Sequence, residues 1–330
     1  MLTDGYDGHK RSVLGIWRRE MRKMLYRLAF VATFIWAASA NAAEVLSATT
    51  AHTARDMWHQ YMDTHGDCGS DTAPVFLCTG IIIRETVPGT NYYSWQPSPE
   101  DEKTGRVSFS YLRKDAKFGG FKSGGANGFT LFPVLGPYKG PEDKIKLEVL
   151  CAFPMDGWTD HRPTDHGCGP TQRFPTQSVL CQQQGIVTAE AWLNHWNAMP
   201  GGDNTRNLYQ CAFDVRHGSP YGNTTGAFNQ LIRAMQLLGE AEFSDHNELV
   251  INAWPVNLNP AQLPIQSFFY VAAGSESGGQ ALANAQKDQR DYYNVTNGGF
   301  VPIVRITPPQ SINDDYDFHF RPEDQAVRIP

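Results

Sequence analysis

The sequence predicts an α+β fold: a mostly antiparallel sheet with packed helices, stabilised by disulfides. Two observations point to this fold and a third to the disulfides. Strand-like and helix-like segments are interspersed, without the regular alternation that builds a parallel sheet. The strand-like runs are rich in Ile, Val, Phe and Tyr, side chains that pack well on a pleated surface. All six cysteines, Cys68, Cys78, Cys151, Cys168, Cys181 and Cys211, follow a segment with the features of an export signal.

That segment has a basic part (Arg18, Arg19, Arg22, Lys23, Arg27), a short apolar run from Leu28 to Ala38, and Ala40-Asn41-Ala42 as a small-x-small cleavage site. Residues 1–20 are read as an upstream extension, 21–42 as the signal peptide, with Met21 or Met24 as initiator, and 43–330 as one secreted catalytic domain. The apolar run is too short for a stable membrane span. An even cysteine count in an exported chain implies three disulfides, with 15 pairings open. Proximity in sequence favours Cys68–Cys78, Cys151–Cys168 and Cys181–Cys211. Of the chain's 28 basic and 34 acidic groups, residues 1–42 hold seven and three, so the mature part carries 21 and 31, a formal charge of −10. That balance argues against nucleic acid or an anionic membrane as partner.

The elements follow in order. Thr50–Thr64 reads as a helix with Trp58, Tyr61 and Met62 on one side. Strands are expected at Val75–Arg84, Val107–Arg113, Gly128–Val134 and Ile145–Phe153, then a long loop from Asp156 to Thr176. Thr188 caps a helix Ala189–Met199, with Glu190 in its first turn. Thr224 or Thr225 opens a longer helix through Leu238. Glu248–Trp254 and Ile265–Ala272 read as strands, Gly279–Tyr293 as a helix and Phe300–Ile306 as a strand.

The most informative stretch is Phe76 to Asp115. The run Gly80 to Ile83 ends on Arg84, a Pro-Gly turn and the aromatics Tyr92, Tyr93 and Trp95 follow, and a later strand carries Ser108, Ser110 and Arg113. An arginine at a strand end faces a loop, and its planar fork suits phosphate or carboxylate. Tyr93 and Trp95 share a parity, so a nicotinamide or adenine could stack there; packing against the sheet is the alternative. Ser108 and Ser110, two apart, face one side of their strand.

The segments LCTGIIIRETVP, YYSWQPSP, RVSFSYLRKD, VLCAFPMD, LPIQSFFY and DQRDYYN together resemble the halovibrin family of secreted bacterial proteins, over about Cys68 to Gln325. The resemblance implies cleavage of NAD at the nicotinamide–ribose bond, with NAD as substrate and no bound cofactor. The layout of Arg84 and Ser108-Phe109-Ser110 also looks like the core of ADP-ribosylating toxins. On that likeness Arg84 would hold the diphosphate, Ser108 and Ser110 would orient the nicotinamide ribose, and Gln266 or Glu248 would lie by the forming cation. Arg113 is a second phosphate contact or a surface ion-pair residue. The toxins' Glu-x-Glu strand has no clear counterpart, since Glu240-Ala-Glu242 falls at a helix end.

Two other readings stay open. One is an ADP-ribosyltransferase that passes the ribosyl group to a host protein; the other is a secreted module that binds a host protein or glycan without chemistry. Asp160-His161 and Asp165-His166 pose a metal question, but their spacing matches no helical pair and no Cys-x-x-Cys is present, so no metal is assigned. His195 reads as structural, and Asp288, Arg290 and Asp291 as helix surface charges.

Overall fold

A nine-stranded sheet forms the body of the protein, with strand order β5-β4-β6-β2-β1-β3-β7-β8-β9. The computed structural model describes residues 52–68, 75–86, 95–98, 101, 106–121, 127–132, 147–201, 205–216, 221, 224–252, 263–271 and 277–329. All lie in one unit, Thr49–Pro330. The expected signal peptide, Tyr92 and Tyr93 fall outside the described residues.

The strands are β1 Ile81–Glu85, β2 Arg106–Leu112, β3 Asn127–Leu131, β4 Glu148–Phe153, β5 Phe213–Asp214, β6 Glu248–Asn252, β7 Ile265–Val271, β8 Ile303–Thr307 and β9 Asp317–Phe320. The helices are α1 Thr53–Met62, α2 Ala189–Ala198, α3 Thr205–Tyr209, α4 Thr224–Leu238 and α5 Ser277–Val295. Every strand pair is antiparallel except β7 with β8, which are parallel and joined through α5. The α+β, mostly antiparallel expectation therefore holds, and so do most element positions.

Three details differ. Val75–Leu77 is a 3-10 turn rather than the start of β1. Gly80 sits at φ +65° and breaks the extended run just before Ile81. The short elements α3, β5 and β9 were not foreseen, although Asp317-Phe318-His319-Phe320 alternates polar and apolar as an edge strand does.

Each face of the sheet has its own cover. On the first, Ile82, Phe109, Phe129, Leu249, Ile251 and Phe268 pack under Trp192 and Trp196 of α2, Phe228 and Leu231 of α4, and Ala281, Ala285 and Tyr292 of α5. On the second, Ile81, Ile83, Phe269, Val304 and Ile306 meet Met57 and Tyr61 of α1 with Tyr316 and Phe318. Farther along this face, Leu150, Cys151, Phe153 and Val250 lie under Cys168, Leu180 and Ala212. Fully burying a large apolar side chain contributes about 1.5–3 kcal/mol, so both covers matter to stability.

The disulfides are Cys68–Cys78, Cys151–Cys168 and Cys181–Cys211, the pairing that sequence proximity favours. Three bridges fit a protein that matures in an oxidising compartment. No helix among the described residues is long and apolar enough to cross a membrane.

Thr188 caps α2, its side chain accepting from the Ala191 N–H at 3.1 Å. Thr188→Ala should lower stability by ~1 kcal/mol in denaturant titration, while Thr188→Asp should hold it near the wild-type value.

Candidate functional site

Strand parity decides which candidates can meet. The pairing Ile83↔Ser110 between β1 and β2 puts Ser110 on the face of Ile83 and leaves Arg84 beside Phe109 on the opposite face. The Arg84 guanidinium lies 5.8 Å from the Phe109 ring centroid, as that parity requires. Arg84 and the two serines therefore do not line one cleft. The one-residue offset between β1 and β2 separates them.

On the first face Arg84 is buried and held. Its Nη2 bonds Asp101 Oδ2 at 3.2 Å and its Nη1 bonds the Ser108 carbonyl at 3.3 Å. Asp101 also accepts from the Ser98 N–H at 3.1 Å. Trp95 is fully buried, edge-on to Tyr292, and donates its indole N–H to Asp291 Oδ2 at 3.1 Å. Its ring is core, covered by protein on its faces. Gln266 lies at a bulge in β7, 2% exposed, with its Oε1 bonded to none of the described residues. Arg113 is buried too, forked onto Asp115 at 2.6 and 2.8 Å and bonded to the His65 carbonyl. Those bonds take up the donors a phosphate would need.

Asp288 was read as a surface charge, but it lies within the buried stripe of α5, between Ala285 and Tyr292. Burial, with some help from Asp291, pushes its carboxyl up to about 7, against a smaller opposing pull from Lys287. It makes no hydrogen bond to any described residue.

On the second face three of the sequence candidates, Ser108, Ser110 and Glu248, come together. Arg106, Ser108 and Ser110 share one side of β2. Continuing the register Phe109↔Leu249 by one step sets Glu248 of β6 opposite Ser110. Glu248 is buried, and its two carboxylate oxygens accept from Thr159 Oγ1 and from the Gly157 N–H, each at 2.7 Å. Thr159 Oγ1 lies 2.6 Å from Ser108 Oγ. A hydroxyl has one proton, and Thr159 gives its proton to the carboxylate, so Ser108 must donate to Thr159. The result is a directed chain, Ser108 to Thr159 to Glu248. Ser108 is half-buried, and Ser110 Oγ makes no hydrogen bond to the described residues.

The loop that delivers Thr159 is tightly built. Trp158 takes the left-handed conformation at φ 50°, and Cys151–Cys168 closes the loop's ends. Arg162 is fully buried inside it and bonds the carbonyls of Gly157, Gly169, Ser178, Asn207 and Gln210. Burial pulls its guanidinium down to about 10, opposed by the Glu248 charge, so it stays cationic at neutral pH. Arg106 Nη1 bonds the carbonyls of Thr159 and Arg162, each at 3.3 Å.

Arg106, Thr159 and Arg162 are the members that sequence reading missed. Arg106 shares the parity of Ser108 and Ser110, but the expected strand began one residue later, at Val107. Nothing local in the sequence marks Thr159, since its partners lie 51 and 89 residues away.

The two Asp–His pairs are otherwise engaged. Asp160 pairs with His161 at 2.8 Å, and Asp165 takes both arms of Arg216 at 2.9 Å. Among the described residues no group of three or more side chains is placed to hold a metal. Burial holds the His195 imidazole below its usual value. A cavity of about 280 Å³ beside Lys117, Met155, Met235 and Phe243 contains none of the site residues.

No protein-family model, no curated protein and no solved structure matches the chain. The likeness to halovibrins thus rests on the motifs alone.

Two tests follow from this geometry. Unfolded, the Asp288 carboxyl ionises near 3.8; folded, it ionises near 7. The folded chain then holds the extra proton, so stability falls as pH rises between those values. Asp288→Asn should therefore be more stable than wild type at pH 8, by up to about 4 kcal/mol, with the advantage gone by pH 4. Thermal melts across that range check the sign. Gly167 sits at φ +89°, and a Cβ there would collide with Arg106 Nη1. Gly167→Ala should lower stability by ~1–3 kcal/mol in denaturant titration.

Proposed function

We propose that this protein is a secreted NAD glycohydrolase whose site is the second face of the sheet, around Ser108, Ser110 and Glu248. The observation that carries the reading is that these three side chains share one face, and that Thr159 links Ser108 to Glu248. The halovibrin-like motifs supply the substrate class.

The chemistry asks for what this face offers. Nicotinamide leaves as a neutral molecule from a cationic ring, so little general acid is needed. Positive charge grows on the ribose carbon as the bond breaks, and a fixed carboxylate favours it. Glu248 is held by two donors and cannot swing away. The serines are set to orient the ribose, and Arg106, on the same face, takes the phosphate-holding role that sequence reading gave to Arg84. Arg84, bonded to Asp101 and facing the first side of the sheet, serves the fold.

The test is release of nicotinamide from NAD by oxidised protein spanning residues 43–330. Wild type should release it. Glu248→Gln keeps the shape and removes the charge; its rate should fall roughly 10²–10³-fold at a temperature where melting curves show the variant still folded, its melting temperature being lowered by the loss of the counter-charge to Arg162. No release by wild type, with or without a protein acceptor, overturns the reading and leaves the binding-module alternative. Release with equal rates in the variant moves the site elsewhere.

A further inference from the structure

We infer that Thr159 fixes the proton direction at Ser108, so that Arg106 and Ser108 form a subsite for a sugar phosphate, its hydroxyl donating to Ser108 and its phosphate resting on Arg106. The inference deepens the function proposed above and rests on the same site. It turns on three observations.

The first is the hydrogen-bond inventory. Glu248 is buried and can only accept while ionised, so Thr159 Oγ1 at 2.7 Å must donate to it. Ser108, 2.6 Å from the same oxygen, must then donate to Thr159. Ser108 is left with lone pairs alone for a ligand. It therefore prefers a hydroxyl or amine over a carbonyl or a phosphate oxygen.

The second is the cation beside it. Arg106 is half-buried and bonds protein only through Nη1, to two carbonyls, among the described residues. Its Nε and Nη2 keep their protons for an anion. A guanidinium suits phosphate geometry better than a lysine would.

The third is spacing. Arg106 and Ser108 stand two apart on β2, with side chains on one face about 6.5–7 Å from each other at the backbone. That is the scale of a pentose from its 5-phosphate to its ring hydroxyls. Ser110 continues the row, without a hydrogen bond to the described residues.

Thr159 is thus a positioning residue: it acts through Ser108. Its removal changes what Ser108 prefers, which a merely structural role would not do. Thr159→Val keeps the shape, drops the relay and frees the Ser108 proton. Thr159→Ser restores the hydroxyl.

The experiment is titration calorimetry of oxidised residues 43–330 with ribose 5-phosphate, 2-deoxyribose 5-phosphate, 3-deoxyribose 5-phosphate and inorganic phosphate. Ribose 5-phosphate should bind, and at least one deoxy form should bind about tenfold more weakly, the loss of one hydrogen bond. Ser108→Ala should erase that discrimination; Thr159→Val, with the Ser108 proton freed, should bind inorganic phosphate more tightly, Thr159→Ser should match wild type, and Arg106→Gln should weaken every phosphate ligand. Melting curves of each variant confirm the fold.

Equal affinity for all three sugars overturns the assignment of Ser108, as does discrimination that survives in Ser108→Ala; an unchanged phosphate affinity in Thr159→Val overturns the proton direction. No binding of ribose 5-phosphate overturns the subsite altogether. Cleavage of NAD without any binding of ribose 5-phosphate sinks this subsite and keeps the glycohydrolase. Discrimination among the sugars without cleavage of NAD does the reverse.

Discussion

Arg162 directs all five of its N–H donors to main-chain carbonyls, those of Gly157, Gly169, Ser178, Asn207 and Gln210. Gly157, Gly169 and Ser178 belong to a stretch with little regular structure and Asn207 and Gln210 to the end of α3, where these carbonyls would otherwise be buried unpaired. A buried cation is costly unless its bonds are complete and a counter-charge is near. Here the Phe153 ring lies 4.6 Å below the guanidinium and the Glu248 charge is close enough to be felt. The same carboxylate that offsets Arg162 accepts from Gly157 and Thr159. So one buried cation sets the loop, the loop sets Thr159, and Thr159 sets Ser108. The covalent closure at Cys151–Cys168 restricts this loop in the unfolded chain, and the guanidinium gives it one folded shape.

The sheet supplies the other half of the constraint. Period-two alternation sends Val107, Phe109 and Tyr111 into the helical core and Arg106, Ser108 and Ser110 to the opposite side. A slip of one residue between β1 and β2 would reverse this and turn the serines into the helical core. Arg84 guards against that slip. Its bond to the Ser108 carbonyl and its place beside Phe109 both require the observed register. Asp101 then neutralises it, because an unpaired guanidinium on the core face would be strongly unfavourable. An arginine at a strand end can thus have its whole effect on a site it never enters.

Much of the fold was legible because it is written locally. Helices α2, α4 and α5 carry their period and, for α2, their cap in adjacent letters, and the strands β2, β6 and β7 carry theirs. Even the disulfides follow nearest spacing. The site was legible only in part, since Ser108, Ser110 and Glu248 are polar letters at strand positions that parity can group. Which face Arg84 joins depends on the register between two strands, and no local pattern fixes that. Thr159 and Arg162 lie in a loop whose shape comes from contacts 45 to 89 residues distant. Asp288 escaped for the opposite reason: a lone carboxylate on a helix is usually solvated, and only the packing of α5 on β7 reveals it as buried.

Asp288 and Glu248 are two buried carboxylates in contrasting surroundings. Glu248 has both oxygens bonded and a buried cation nearby. Asp288 has an apolar stripe around it, a weak pull from Lys287 and a like charge at Asp291, so its neutral form is favoured up to about pH 7. A carboxylate that must steady a growing positive charge has to be ionised before the reaction begins. Of the two, Glu248 is the one with hydrogen-bond donors fixed on both oxygens. Its position at the start of β6, opposite Ser110 and linked through Thr159 to the half-buried Ser108, turns it away from the closed helical core.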